Sequence, residues 1–408
     1  MRGLRRKGLL PKGRLALLLV GILAIGATAC ASTETSGGSA APVPTTTSSA
    51  AVASRTPSSK PPTTVQESTT RTKSPTTPAE TEETSETKDS TKKGKPTSSA
   101  PAPASPGTAD TAAVTCPAGT VSVNDASSLE DALKSAKPGT VIQLADGTYS
   151  GHFVGTGSGE QDSPIWLCGG KGAVINGDSI KKGYAVHLKD AEFWRLVGFS
   201  IENAQKGVIV DNGTGIMIQG LTVSEIGDEA IHLRAGTTYS VVRDNDVSGT
   251  GMRNEKYGEG IYVGSASSNW CTYSACGPDR SNNNAIVDNR IHGTSAESID
   301  IKEGTQDGLI QGNTFDGTGG LVGADSWVDV KGNGWQIIGN IGANSPVDGF
   351  QVHSVVDGWG TRNVFQGNTA EVNGDGFGIH LAPVQDNTVS CDNKATGAAS
   401  GMTNTTCT

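Results

Sequence analysis

Residues 297–304 read ESIDIKEG. Ile299 and Ile301 are spaced two apart, and carboxylates and a lysine fill the places around them. Side chains on a strand alternate between two faces, so both isoleucines point one way and Asp300 the other. The same phase recurs as KGVIVD (206–211), EAIHLR (229–234), EGIYVG (259–264), SWVDVK (326–331), DGFQVH (348–353) and DGFGIH (375–380). Positions three and five of every row are apolar. Beside these rows runs an asparagine-centred turn, at Asn245, Asn289, Asn313, Asn340, Asn368 and Asn387, with spacings of 44, 24, 27, 28 and 19. Short strands repeating every twenty-odd residues mark a solenoid. Stacked parallel rows around a shared apolar interior describe an all-β, single-stranded right-handed parallel β-helix, its hand following the general rule for crossovers. A propeller would need longer, four-stranded repeats. The 44-residue spacing reads as one coil plus an inserted loop, SASSNWCTYSACGPDRSNNN (265–284). Only SSLEDALKSAKPG (127–139) has helical patterning with a Pro-Gly stop, and it is expected to form a short N-terminal capping helix.

The chain has 408 residues in three compositional parts. Residues 1–30 have a basic start and an apolar run, LALLLVGILAIGA, ending at Cys30, as in an export signal. The run is short and one-sidedly flanked for a spanning helix. ATAC (27–30) fits either an A-x-A cleavage site or a lipoprotein-type site that would lipidate Cys30, although Ala27 stands where such sites favour leucine. Residues 31–113 are rich in Ser, Thr, Pro and Ala and can bury little, so they read as a disordered tether. Residues 114–408 form the β-helix domain. The expected localisation is the outer surface of the cell membrane through a lipid anchor, or secretion. Membrane contact is expected only through that anchor, and the domain is expected to be a monomer.

Removing Cys30 leaves six cysteines, an even set that favours disulfides in an exported chain. Neighbourhood pairs Cys116 with Cys168, Cys271 with Cys276 and Cys391 with Cys407. The domain carries 18 Lys and Arg against 33 Asp and Glu, which argues against nucleic acid as a partner. The isolated His152, His187 and His292 read as structural groups. There is no P-loop, zinc-spaced Cys/His set or Gly-x-Ser-x-Gly elbow, and GTGSGE (155–160) has no helix after it to present to phosphate.

Reading the rows as columns brings out chemistry. Position one carries Glu229, Glu259, Glu297, Asp348 and Asp375. Position four carries His232, Tyr262, Asp300, Asp329 and Gln351. Position six carries Arg234, Lys302, Lys331, His353 and His380. Like charges stacked about 4.8 Å apart need compensation from a neighbouring file, a cation or a shifted pKa. A long polar face of this kind suits an extended glycan. Arg234, His232, His353 and Trp327 are the expected sugar contacts.

SLEDALKSAKPGTVIQLADGTYSG (128–151), with SPIWL and GAVINGD after it, resembles the opening coils of the chondroitinase B and alginate lyase group of polysaccharide lyases. ESIDIK resembles the strand on which that group sets a calcium-binding glutamate five residues before a base lysine, a spacing that Glu297 and Lys302 keep. Ser295 stands where the group has another acid, and Lys331 is offered where it has an arginine on the next coil. The resemblance implies cleavage of an acidic polysaccharide by β-elimination, which needs a cation for the uronate carboxylate, a base and a proton donor. On that reading Ca2+ is held by Glu259 and Glu297 with Asp300 or Asp329, Lys302 is the base, and Lys331 or Tyr262 is the donor. Two other readings stand beside it. GDEAIHL (227–233) and GEGIYVGS (258–265) resemble strands of the polygalacturonases, with Glu229 and Glu259 replacing that family's aspartate and histidine. Asp300 and Asp329 would then be an inverting acid/base pair, which needs about 6.5–9.5 Å between carboxyls. A non-catalytic glycan-binding or surface-structural role is the third.

Overall fold

The computed structural model describes residues 109–408. Cys30 and nearly all of the 31–113 tether lie outside that range. The described chain winds into three parallel sheets of 11, 10 and 10 strands, each coil adding a strand to each sheet. It is an all-β parallel β-helix. The rows quoted above form one of the 10-stranded sheets, and their paired residues are the ones the columns predict: His232 opposite Tyr262, Tyr262 opposite Asp300, Asp300 opposite Asp329 and Asp329 opposite Gln351. Positions three and five fill the interior, where Ile231, Leu233, Ile261, Val263, Ile299, Ile301, Val328 and Val330 are fully buried. The helix Ala126–Ser135 starts with a capping box, in which Ser128 N donates to Asp125 Oδ1 at 2.7 Å. Its Leu129, Ala132 and Leu133 join the same core as Val123 and Phe153.

Two rows of the sequence alignment shift. Phe350 pairs with Ile379 and Gln351 with His380, so DGFGIH slides by two residues. A slip of two keeps every side chain on its face, which is why the apolar pattern could not detect it. His380 therefore belongs to position four, and Asp375 leaves the position-one file. Asn387 is likewise not the end of the asparagine series. That series runs from Asn368 to Asn393, whereas Asn387 accepts from the backbone N–H of Asn363 in a second ladder.

The main ladder fixes one corner of the coils. Each amide oxygen accepts from the backbone and side chain of the asparagine one coil below, at 2.9–3.0 Å through Asn289, Asn313, Asn340 and Asn368. Each amide nitrogen donates to a backbone carbonyl, as Asn313 does to Ile286. All these groups are buried, so the ladder satisfies turn donors that water cannot reach.

The long asparagine spacing contains two excursions, on either side of the Ile261–Val263 strand. One lies between Ser248 and Ile261 and includes the turn Glu255–Tyr257. The other is the predicted insertion, with short helices at Ser267–Asn269 and Trp270–Tyr273. Buried Asp279 ties this insertion down by accepting from Ala235 N and Gly236 N at 2.9 Å and from Ser265 Oγ at 2.7 Å. Cys116–Cys168, Cys271–Cys276 and Cys391–Cys407 are all bonded. Three disulfides fit an oxidising, exported setting. At the other end of the described chain, Ala109 N donates to Asn283 O at 3.2 Å and Val114 N to Gln219 Oε1 at 2.8 Å.

Asn313→Ala removes an acceptor that serves two buried donors. We expect a loss of about 2 kcal/mol in urea unfolding, with the far-ultraviolet signature of the folded state retained.

Candidate active site

Position-four side chains leave the coil, yet they are not solvated. Asp300 is 1% and Asp329 3% exposed, because the longer position-six side chains fold back over them. Lys302 Nζ lies 2.5 Å from Asp300 Oδ2. Lys331 Nζ lies 2.9 Å from Asp300 Oδ1 and 2.5 Å from Asp329 Oδ2. Two ammoniums thus converge on one buried carboxylate. His353 Nδ1 reaches Asp329 from the next coil at 3.0 Å. Tyr262 lies on the other side, its ring centroid 5.1 Å from Lys302 Nζ and 4.1 Å from the ring of His232.

Burial opposes the charge on both lysines, but Asp300 outweighs it and holds each ammonium above the usual lysine range. Burial opposes the charge on Asp329 too, and Lys331 and His353 outweigh it to keep that carboxyl low. Glu259 and Glu297 have less help, only Glu297 feeling the charge of Lys331. Burial, reinforced by Asp300, pushes them up to about 8 and about 7. Burial and the same carboxylates hold Tyr262 well above the phenol range.

One carboxylate oxygen from each of Glu259, Glu297 and Asp300 lies within 4.8 Å of the others. With Asp329, four carboxylates face two ammoniums, so the fully ionised cluster has two negative charges too many. Two protons on the glutamates, or one divalent cation, would balance it. The oxygen-only donor set suits a hard cation such as Ca2+.

Of the predicted site residues, the structure brings together Lys302, Lys331, Asp300, Asp329, Tyr262, Glu259 and Glu297, with His353 at the edge. Three expected sugar contacts are buried, Trp327 away in the interior and Arg234 and His232 in the wall of the cavity beside Tyr262. Trp327 is fully buried in the interior against Phe350, ring centroids 5.7 Å apart, because its position-two side chain turns inward at the bend before its strand. Arg234 is 3% exposed. Its Nε and Nη2 donate to Asp211 at 2.6 and 3.1 Å, and Tyr273 of the insertion covers its guanidinium at 4.2 Å. His232 is equally buried between Glu229 (3.1 Å) and the Gly264 carbonyl (2.8 Å). Burial pulls its pKa down against Glu229. Glu229 itself stays at about 2, because His232 and Lys206 outweigh burial. These groups stiffen the wall of the site.

Upstream of Tyr262 the face opens into a cavity of about 280 Å3, framed by the two excursions. Arg253 and Tyr257 line it from the 249–260 side. Columns could not reveal them, since they lie between rows. The extra length between DVSG and EGIYVG is the signal that marks them.

No protein-family model matches the chain, and no curated protein does. Among solved structures, the crystal structure of alginate lyase from Paenibacillus sp. str. FPU-7 matches at 36% identity and a TM-score of 0.65, over 69% of this chain and 97% of that one. The chain belongs to that lyase's family. Weaker matches are pectate lyase Pel9A, at 15% identity, TM-score 0.44, 66% of this chain and 73% of that one, and endo-xylogalacturonan hydrolase from Aspergillus tubingensis, at 10%, 0.46, 68% and 89%. In this member of the alginate lyase family, the two-lysine cluster sits on the central coils of a carbohydrate-active β-helix.

The two glutamates give the family member a pH signature. Their folded pKa values exceed the ordinary 4.5. The folded state therefore binds more protons, and the stability these groups add is present below about 4.5 and is lost progressively as pH rises from there to about 7 and 8. In chelator, the melting temperature should fall over that range in the wild type and fall less steeply in Glu259→Gln.

Proposed function

We propose that the chain cleaves an acidic, uronate-containing polysaccharide, of which alginate is the first candidate, by β-elimination at the Tyr262–Lys302–Lys331 cluster. The observation that carries the reading is the convergence of two largely enclosed ammoniums on buried Asp300 beside a half-buried tyrosine. The 36% identical alginate lyase supports it.

Elimination breaks the C5–H bond and the C4–O bond of a uronate and leaves a C4=C5 double bond. The proton at C5 goes to a base, and the departing glycosidic oxygen receives another proton. The resemblance to the lyase group's catalytic strand implied Lys302 as the base. Its pairing with Asp300 instead keeps it charged, which suits the donor that protonates the leaving oxygen. Tyr262, next to it on the same face, is the group placed to accept the C5 proton. Lys331 supplies positive charge for the substrate carboxylate. Glu259, Glu297 and Asp300 are the residues that would hold a Ca2+ ion or similar divalent cation. Such a cation would neutralise the uronate carboxylate and offset the negative charge that keeps Tyr262 protonated.

The polygalacturonase-like alternative needs one of Asp300 and Asp329 to donate a proton. Both are ion-paired, and Asp329 is held low, which disfavours it. Export fits the disulfides, and lipidation at Cys30 would place the activity at the cell surface.

On alginate, pectate and chondroitin, the wild type should release products with the ultraviolet absorbance of an unsaturated uronate. Lys302→Ala and Tyr262→Phe should each lower kcat by about a thousandfold. New reducing ends without that absorbance would identify a hydrolase. Neither signal across the panel would leave the binding role.

Chelator should abolish turnover, and added Ca2+ should restore it, with apparent affinity falling as pH drops below about 7 and the glutamates take up protons. Full activity in chelator would remove the cation from the scheme.

A further inference from the structure

The cavity beside Tyr262 contains a prepared cation that the elimination chemistry does not use. Asp228 is 2% exposed and accepts from Arg253 Nε at 2.8 Å, from Arg253 Nη2 at 2.7 Å and from Gln205 Nε2 at 2.8 Å. This fork fixes the guanidinium plane and leaves Nη1 without a part in it. The arginine side chain is 35% exposed toward the cavity. Asp228 balances its charge through the fork, and among the described residues no other ionisable group lining the cavity pairs with it. Glu229 is occupied by Lys206 and His232, and Arg234 by Asp211. Tyr257 lies four residues on, in the same excursion, with a 55% exposed ring at the rim. An oriented, half-open guanidinium beside an exposed aromatic face is the donor set for an acidic sugar: one group for the carboxylate and one for the ring's C–H face.

We propose that Arg253 and Tyr257 form a uronate-binding subsite on the upstream side of the cleaved bond, with Arg253 pairing with the sugar carboxylate and Tyr257 stacking on the ring. The proposal rests on the lyase reading and adds to it the residues that select an acidic sugar next to the bond. Asp228 is a positioning residue for Arg253.

Binding without turnover tests it. The Lys302→Ala protein is titrated with a saturated oligoalginate of defined length and with the same oligomer after carboxyl reduction. Adding Arg253→Gln should weaken oligoalginate binding about tenfold and leave the reduced oligomer unaffected. Adding Tyr257→Ala, at an exposed position that the fold does not need, should weaken both ligands by a similar factor. Arg253→Lys keeps a charge opposite Asp228 without the fork, and should fall between wild type and Arg253→Gln. With Lys302 intact, the Arg253→Gln loss should appear in KM rather than kcat. Unchanged oligoalginate binding in Arg253→Gln, or equal losses on both ligands, overturns the carboxylate pairing. Unchanged binding in Tyr257→Ala overturns the stacking. A wild type that yields no unsaturated product from any uronate polymer overturns the lyase reading, and the titrations still decide the subsite by themselves.

Discussion

Parallel strands on successive coils lie about 4.8 Å apart, and every feature of the site follows from that distance. It is shorter than the reach of a lysine and close to the span of a carboxylate ion pair. A lysine on one coil can therefore serve an aspartate on its own coil and another on the coil below, as Lys331 does with Asp329 and Asp300. The same spacing would bring bare carboxylates into repulsive contact. The cluster exists because acids and bases occupy neighbouring files rather than one.

Burial then turns a charge ladder into a set of tuned groups. The position-four carboxylates lie under the lysine stems, out of water, so each must be paired or protonated. Asp300 and Asp329 are paired. Glu259 and Glu297, one file over, are not, and they are the two whose protons are held near neutrality. The divided roles of the two pairs follow from which file the lysines can reach.

Much of this was legible in the sequence. Strict alternation around Ile299 and Ile301 gave the inward face, and stacking the rows gave the file that holds Tyr262, Asp300 and Asp329 in their observed order. What the sequence hid has physical causes. A two-residue slip at DGFGIH preserves alternation and leaves no trace in polarity. Arg234 has the composition of a ligand-binding residue, but its availability depends on Tyr273, which arrives from an insertion some forty residues later in the chain. Trp327 looks outward by parity but sits where the strand has not yet begun. Arg253 and Tyr257 fall between rows, where column reading has no entry. The proton held by Lys302 depends on Asp300 closing on it against the cost of burial, which no linear spacing records.

The two disulfides that span the most sequence, Cys116–Cys168 and Cys391–Cys407, sit at opposite ends of the stack. A solenoid is held mainly by contacts between neighbouring coils, so it loses structure from its termini inward, much as a helix frays. Covalent clamps at both extremities raise the barrier to that first step, and the central coils are the last to be reached. Such a molecule can lose a loop or a peripheral turn to proteases and still keep its charged cluster in register.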